Sequence, residues 1–138
     1  MTVRRPSGTP PPAASGIDGR RVDLIALADE VCRRYELEYP DELKRYGEAG
    51  GEWCRHDNQW LLQWAIADVQ GATQLDEQVR WLARVLKARD FPIARLAHDL
   101  RIASDVVSQA GLGDGGAVVA ARLASAAEML AGDDLHES

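Results

Sequence analysis

The sequence predicts an all-α protein: a four-helix bundle with one short accessory helix, behind a disordered Pro-rich N-terminal tail. Three observations carry that expectation. The hydrophobic 46% of the chain is supplied largely by Ala, Leu and Val, with a single Phe, a mixture that favours helices. Apolar residues recur every three to four positions in successive segments, and no alternating strand pattern is evident. Gly and Pro fall between those segments, at the places where helices end.

At 138 residues the chain has the length of one domain. Residues 1–19 contain Pro6, Pro10, Pro11 and Pro12 among Gly, Ser and Ala, too little apolar surface to offset ordering, and are expected to be a disordered tail. Pro10 to Pro12 also spell a short polyproline II segment, though a solvated linker is the commoner meaning of such a run. The bundle is expected over 20–132, followed by an acidic C-terminal tail at 133–138.

The first helix is read from Leu24, Leu27, Ala28, Val31 and Tyr35 and stops at Pro40. A short helical turn over 41–46 leads to Gly47, Gly50 and Gly51, which loosen the backbone before a second helix over 52–70; one kinked helix across the whole stretch is the alternative reading. Gly71 ends it. Thr73 and Asp76 suit the N-cap and first turn of a third helix with the stripe Leu75, Val79, Leu82 and Leu86, and Arg84, Lys87 and Arg89 suit its C-terminal end. Pro92 opens a fourth helix, with Ile93, Leu96, Leu100, Ala103, Val107 and Ala110 on one side, closed by Gly111. The fifth carries Val118, Val119, Leu123, Ala126 and Leu130, and its alanines permit close packing.

The net charge of −6 and pI near 5.0 count against nucleic acid or an anionic membrane as partner. No apolar run spans a membrane, and no signal peptide is recognised, so a cytoplasmic location is expected. Cys32 and Cys54 lack metal-site spacing and are expected to be buried reduced thiols.

The second helix holds the feature most open to a functional meaning. Trp53, Asp57, Trp60 and Trp64 are spaced four, three and four apart, so they form one stripe, and Asp57 is expected to face inward with the tryptophans. A buried carboxylate needs a partner or a raised pKa. Pairing with an arginine of another helix, or with backbone donors near the glycine break, meets that need structurally. Alternatively the stripe walls a pocket for a flat aromatic ligand, with Asp57 orienting a polar group and His56 at the edge, or it anchors a subunit interface. His56-Asp57 and His98-Asp99 each spell a His-Asp pair, but the further ligands of a metal phosphohydrolase are missing: His136 in the tail is the third and last histidine, and no metal site is expected. His98 itself is expected near the polar face and solvated. No nucleophile with an activating base is found, and the Gly-rich 111–116 segment joins two helices, so no catalytic residue is assigned. No motif specifies a cofactor.

The runs Trp53-Cys54-Arg55-His56-Asp57 and Trp60-Leu61-Leu62-Gln63-Trp64, followed by Val79-Arg80-Trp81-Leu82 and Arg89-Asp90-Phe91-Pro92, resemble the helical cap of bacterial cobalamin-binding sensor and photoreceptor proteins. The likeness covers about residues 40–110. It implies a stand-alone helical module that senses a ligand or docks onto a partner, and it carries over Asp57, Trp60 and Trp81 with no catalytic role. The pattern departs where that family often has a histidine and this chain has Leu61, and the cobalamin-binding α/β domain is absent, so direct axial ligation of the corrin is not expected.

The resulting expectation is a non-enzymatic regulatory or sensory module that binds a small aromatic ligand or a protein partner through Trp53, His56, Asp57, Trp60, Trp64 and Trp81. The alternative is a small enzyme or cofactor-binding protein with a site around His56 and Asp57. A homodimer through the Ala-rich fifth helix is a further expectation.

Overall fold

A computed structural model describes residues 6–137, with side chains through Leu135. The chain begins with a hairpin, β1 (Ala14–Ile17) and β2 (Arg20–Asp23), and continues through five helices: α1 (Leu24–Glu38), α2 (Asp41–Val69), α3 (Leu75–Lys87), α4 (Ile93–Gln109) and α5 (Gly113–Glu137). The architecture is thus almost entirely helical, with a small antiparallel sheet the sequence reading did not include.

The hairpin corrects the expectation of a tail for its last part, 14–19, while 6–13 carry no helix or strand. Its strands pair Ala14 with Asp23 and Ile17 with Arg20 across a two-residue turn, Asp18-Gly19, whose positive φ values of 51° and 77° match the twist of a tight hairpin. Ile17 and Val22 are buried against the helices. Gln59 Nε2 donates to Pro12 O at 3.1 Å and Gln70 Nε2 to Gly16 O at 3.0 Å, while Asp18 Oδ2 accepts from the Gly115 amide at 3.0 Å. The hairpin is therefore fastened to α2 and to the first turn of α5. Residues 1–5 of the expected tail lie outside the described residues. At the other end, α5 continues to Glu137, so most of the expected acidic tail is helix, and the side chain of His136 lies outside the described set.

Asp23 caps α1, accepting from Ala26 N at 3.0 Å. Of the two readings for the stretch after Pro40, the kinked helix is observed: α2 runs on from Asp41 but breaks at Gly47, with φ 66° and ψ −160°. At α3 the expected Thr73 cap is not formed. Gln74 is the capping residue, and the Leu75 amide is satisfied from α2 by Asp68 Oδ2 at 2.7 Å, while Thr73 Oγ1 accepts from Gln78. Asp76 and Glu77 occupy the first turn of α3 and Arg84 and Lys87 the last, as its dipole favours.

One apolar core joins all five helices and the hairpin, centred on Leu24, Val31, Leu61, Leu62, Val79, Leu100, Val107 and Leu123. The closest helix pair is α4 with α5, where Ala103, Ala120, Ala126 and Ala127 remove side-chain bulk and Ser104 Oγ donates to Ala120 O at 2.7 Å. These buried alanines are taken up within the chain, while Ala117, Val118 and Ala121 of α5 are exposed. No helix among the described residues is long and apolar enough to cross a membrane.

Candidate functional site

On α2 the buried stripe is Asn58, Gln59, Leu61, Leu62, Ala65 and Ile66, with half-buried Cys54 leading into it. It runs one residue later than the tryptophan row, and one residue is about 100° around a helix. Trp53, His56, Asp57, Trp60 and Trp64 consequently lie half-buried on the flank of the core. This corrects the expectation that Asp57 faces inward: its Oδ1 meets His56 Nδ1 at 3.1 Å, and both side chains retain about a fifth of their exposure.

The aromatic residues fall into two groups. Toward the start of the row, Trp53 meets the His56 ring edge-on at 5.2 Å and takes the Arg89 guanidinium over its face at 5.3 Å. Further along, Trp60 stacks on Trp64 at 5.9 Å with 26° between planes, and Trp64 meets Trp81 of α3 edge-on at 6.4 Å. Trp81 is 51% exposed. The α2–α3 pairing thus brings together Trp60, Trp64 and Trp81 in one contiguous indole surface. Arg84, one turn from Trp81 on α3, is exposed, and so is Arg89, whose guanidinium lies over Trp53.

Sequence reasoning missed a second, buried polar cluster. Asn58 and Asp99 stand in core stripes, Asn58 in phase with Leu61 and Ala65, Asp99 in phase with Ile102, Ala103 and Val106. Asn58 Nδ2 donates to Asp99 Oδ1 at 3.1 Å and to Cys54 O at 3.0 Å. Burial, opposed by that one hydrogen bond, raises the Asp99 carboxyl to about pKa 7. The in-phase position of Asp99 was legible; treating His98-Asp99 as a pair obscured it.

Around this pair, Cys32 of α1 and Cys54 of α2 form a disulfide, which corrects the expectation of reduced thiols. Tyr35, on the buried side of α1, donates to Glu42, which also accepts from Arg95 at 2.9 Å. Burial, then the Glu42 carboxylate, holds the Tyr35 phenol far above its usual range, while Glu42 and Asp41 hold Arg95 firmly protonated. His98, expected to be solvated, keeps about a third of its exposure but is also held in place: its Nε2 lies 2.6 Å from Glu38 and its Nδ1 2.9 Å from the Tyr39 hydroxyl. These contacts tie α1, the start of α2, and α4 together.

A cleft of about 390 Å³ opens between α1 and α2 along Cys32, and a smaller cavity of about 250 Å³ lies beside Asp68 and Arg122; neither is lined by a tryptophan. Among the described residues no group of three or more His, Cys, Asp or Glu side chains is arranged to hold a metal ion. Compared with known proteins, the chain matches no family model, no curated protein and no solved structure.

Proposed function

We propose that this chain is a non-enzymatic, regulatory protein-interaction module. Its partner is an acidic amphipathic segment of another protein, laid across Trp60, Trp64 and Trp81. The observation that carries this reading is the contiguous indole surface with exposed Arg84 one turn from Trp81. Indoles give large contact areas at low entropic cost, and the adjacent Arg84 complements a carboxylate on the partner. An amphipathic helix supplies both along one side.

The indoles contact one another, and neither cavity described above lies among them, which favours docking on the surface over insertion of a small aromatic ligand. The likeness to a cobalamin-sensor cap supports a sensory setting for the same face, through Asp57, Trp60 and Trp81. The reading of His56 and Asp57 as an enzyme site is weaker, because Asp57 is engaged by its own neighbour on the helix flank.

The test is a fluorescence titration with a peptide that alternates Leu or Phe with Glu on an amphipathic helix, against its Lys-substituted counterpart. The acidic peptide binds and the basic one does not, and Trp81→Ala weakens binding by about 30-fold, as loss of a hot-spot anchor does. Equal binding of both peptides, or an unchanged affinity in Trp81→Ala, refutes the proposal. Saturable quenching by a corrin or a flat aromatic compound with no response to either peptide transfers the site to a small ligand, and peptide-independent self-association transfers it to a second copy.

A further inference from the structure

The only two cysteines of the chain are joined; Cys54 packs against the core, and Cys32, 7% exposed, is the end of the bond that faces a cleft. Cys32 lines the cleft of about 390 Å³ between α1 and α2. The cleft also carries four carboxylates, Asp29, Glu36, Glu48 and Glu52, against two guanidiniums, Arg33 and Arg55. On the inner side, Asn58 is only 2% exposed, and its Nδ2 lies 3.5 Å from Cys54 Sγ and 3.7 Å from Cys32 Sγ. The Asn58 Oδ1 is buried with no hydrogen-bond partner among the described residues.

We propose that Cys32–Cys54 is a reversible dithiol–disulfide site, reduced through the α1–α2 cleft by a cationic or neutral thiol in preference to an anionic one. The thiolate of the incoming molecule attacks Cys32 Sγ, and the electron pair of the Cys32–Cys54 bond departs with Cys54. This leaves a mixed disulfide on Cys32 and a thiolate on Cys54, whose Sγ lies 3.5 Å from Asn58 Nδ2, so that one of the two Nδ2 protons given to Cys54 O and Asp99 Oδ1 turns to the new charge. A second thiolate attacks the outer sulfur of the mixed disulfide and expels Cys32. The two cysteine thiolates take up the two protons released by the two thiols, so one protein disulfide is reduced and two thiols are oxidised to their own disulfide. The excess of carboxylates at the cleft, within a chain of net charge −6, repels an anionic donor at low salt.

The experiment exposes the full chain, without denaturant, to cysteamine, 2-mercaptoethanol and glutathione. Free cysteines are trapped by alkylation and counted by mass, with near-ultraviolet circular dichroism followed in parallel. Each rate is divided by that of the same thiol on an uncharged small disulfide. Both cysteines become alkylated while the tertiary spectrum persists, and the normalised rates fall from cysteamine to glutathione by about tenfold at low salt, converging as salt is added. Asn58→Leu slows reduction by about tenfold through loss of the N–H that receives the Cys54 thiolate. If that variant does not fold, the exposed double variant Glu36→Gln with Glu48→Gln decides, since it narrows the disadvantage of glutathione. Reduction only after denaturation, or equal normalised rates for the three thiols at low salt, overturns the proposal.

Discussion

Removing the charge from Asp99 is expected to flatten the pH dependence of stability. The carboxyl is buried among Asn58, Ile102, Ala103 and Val106 and is raised from 3.8 to about 7. Between those two values the folded chain holds a proton that the unfolded chain has released, so stability falls as pH rises through that window and levels off above it. Each pKa unit corresponds to about 1.4 kcal/mol, so moving from about pH 5 to about pH 8 costs on the order of 3 kcal/mol from this group. The shifts of Tyr35 and Arg95 lie above that window, and those of Glu30 and Asp41, both lowered, act below it. Urea unfolding followed by far-ultraviolet circular dichroism at the two pH values measures the difference directly. The natural chain is more stable at the lower pH, and Asp99→Asn, which keeps the shape and the Asn58 contact, loses most of the slope. An Asp99→Asn protein with the same slope as the natural chain refutes the assignment of a raised carboxyl at this position.

Replacing both cysteines by Ala removes a bridge of sequence separation 22 and lowers unfolding stability by about 3 kcal/mol, checked by the same urea series. Gly115→Ala sets a methyl group about 2.6 Å from the Ile17 side chain and crowds Asp18, which holds the Gly115 amide. It costs about 1–3 kcal/mol, and hydrogen exchange accelerates in 14–23 before the rest of the molecule. Leu123→Ala empties a fully buried position on α5 and costs about 3–5 kcal/mol by thermal or urea unfolding.

The helices were legible because their apolar spacing and their Gly and Pro boundaries agree, from Pro40 and Gly71 to Pro92 and Gly111. The hairpin was not read, although Ile17-Asp18-Gly19-Arg20 contains the Asp-Gly pair that tight turns require, because its strands are four residues each and adjoin a Pro-rich stretch. The tryptophan stripe was read as a row but assigned to the wrong side. Spacing fixes which residues share a face; which face is buried depends on the neighbours, and here Asn58, Leu61 and Ala65 take the inner position one residue on. A polar residue in that inner stripe weakens the apolar signal at the place where it matters. The disulfide was hidden for a related reason: Cys32 and Cys54 are far apart in sequence and meet only because α1 packs on α2. Trp81 was tied to the α2 row only by resemblance, and its contact with Trp64 depends on the α2–α3 crossing.

The most direct test of the interaction face uses the four indole N–H resonances of the chain in a nuclear magnetic resonance titration with the acidic amphipathic peptide. The indoles of Trp60, Trp64 and Trp81 shift together as the peptide saturates, and that of Trp53, in its separate contact with His56 and Arg89, shifts least. Saturation that leaves the Trp64 and Trp81 signals unmoved, or that moves only residues of the α1–α2 cleft, contradicts the account.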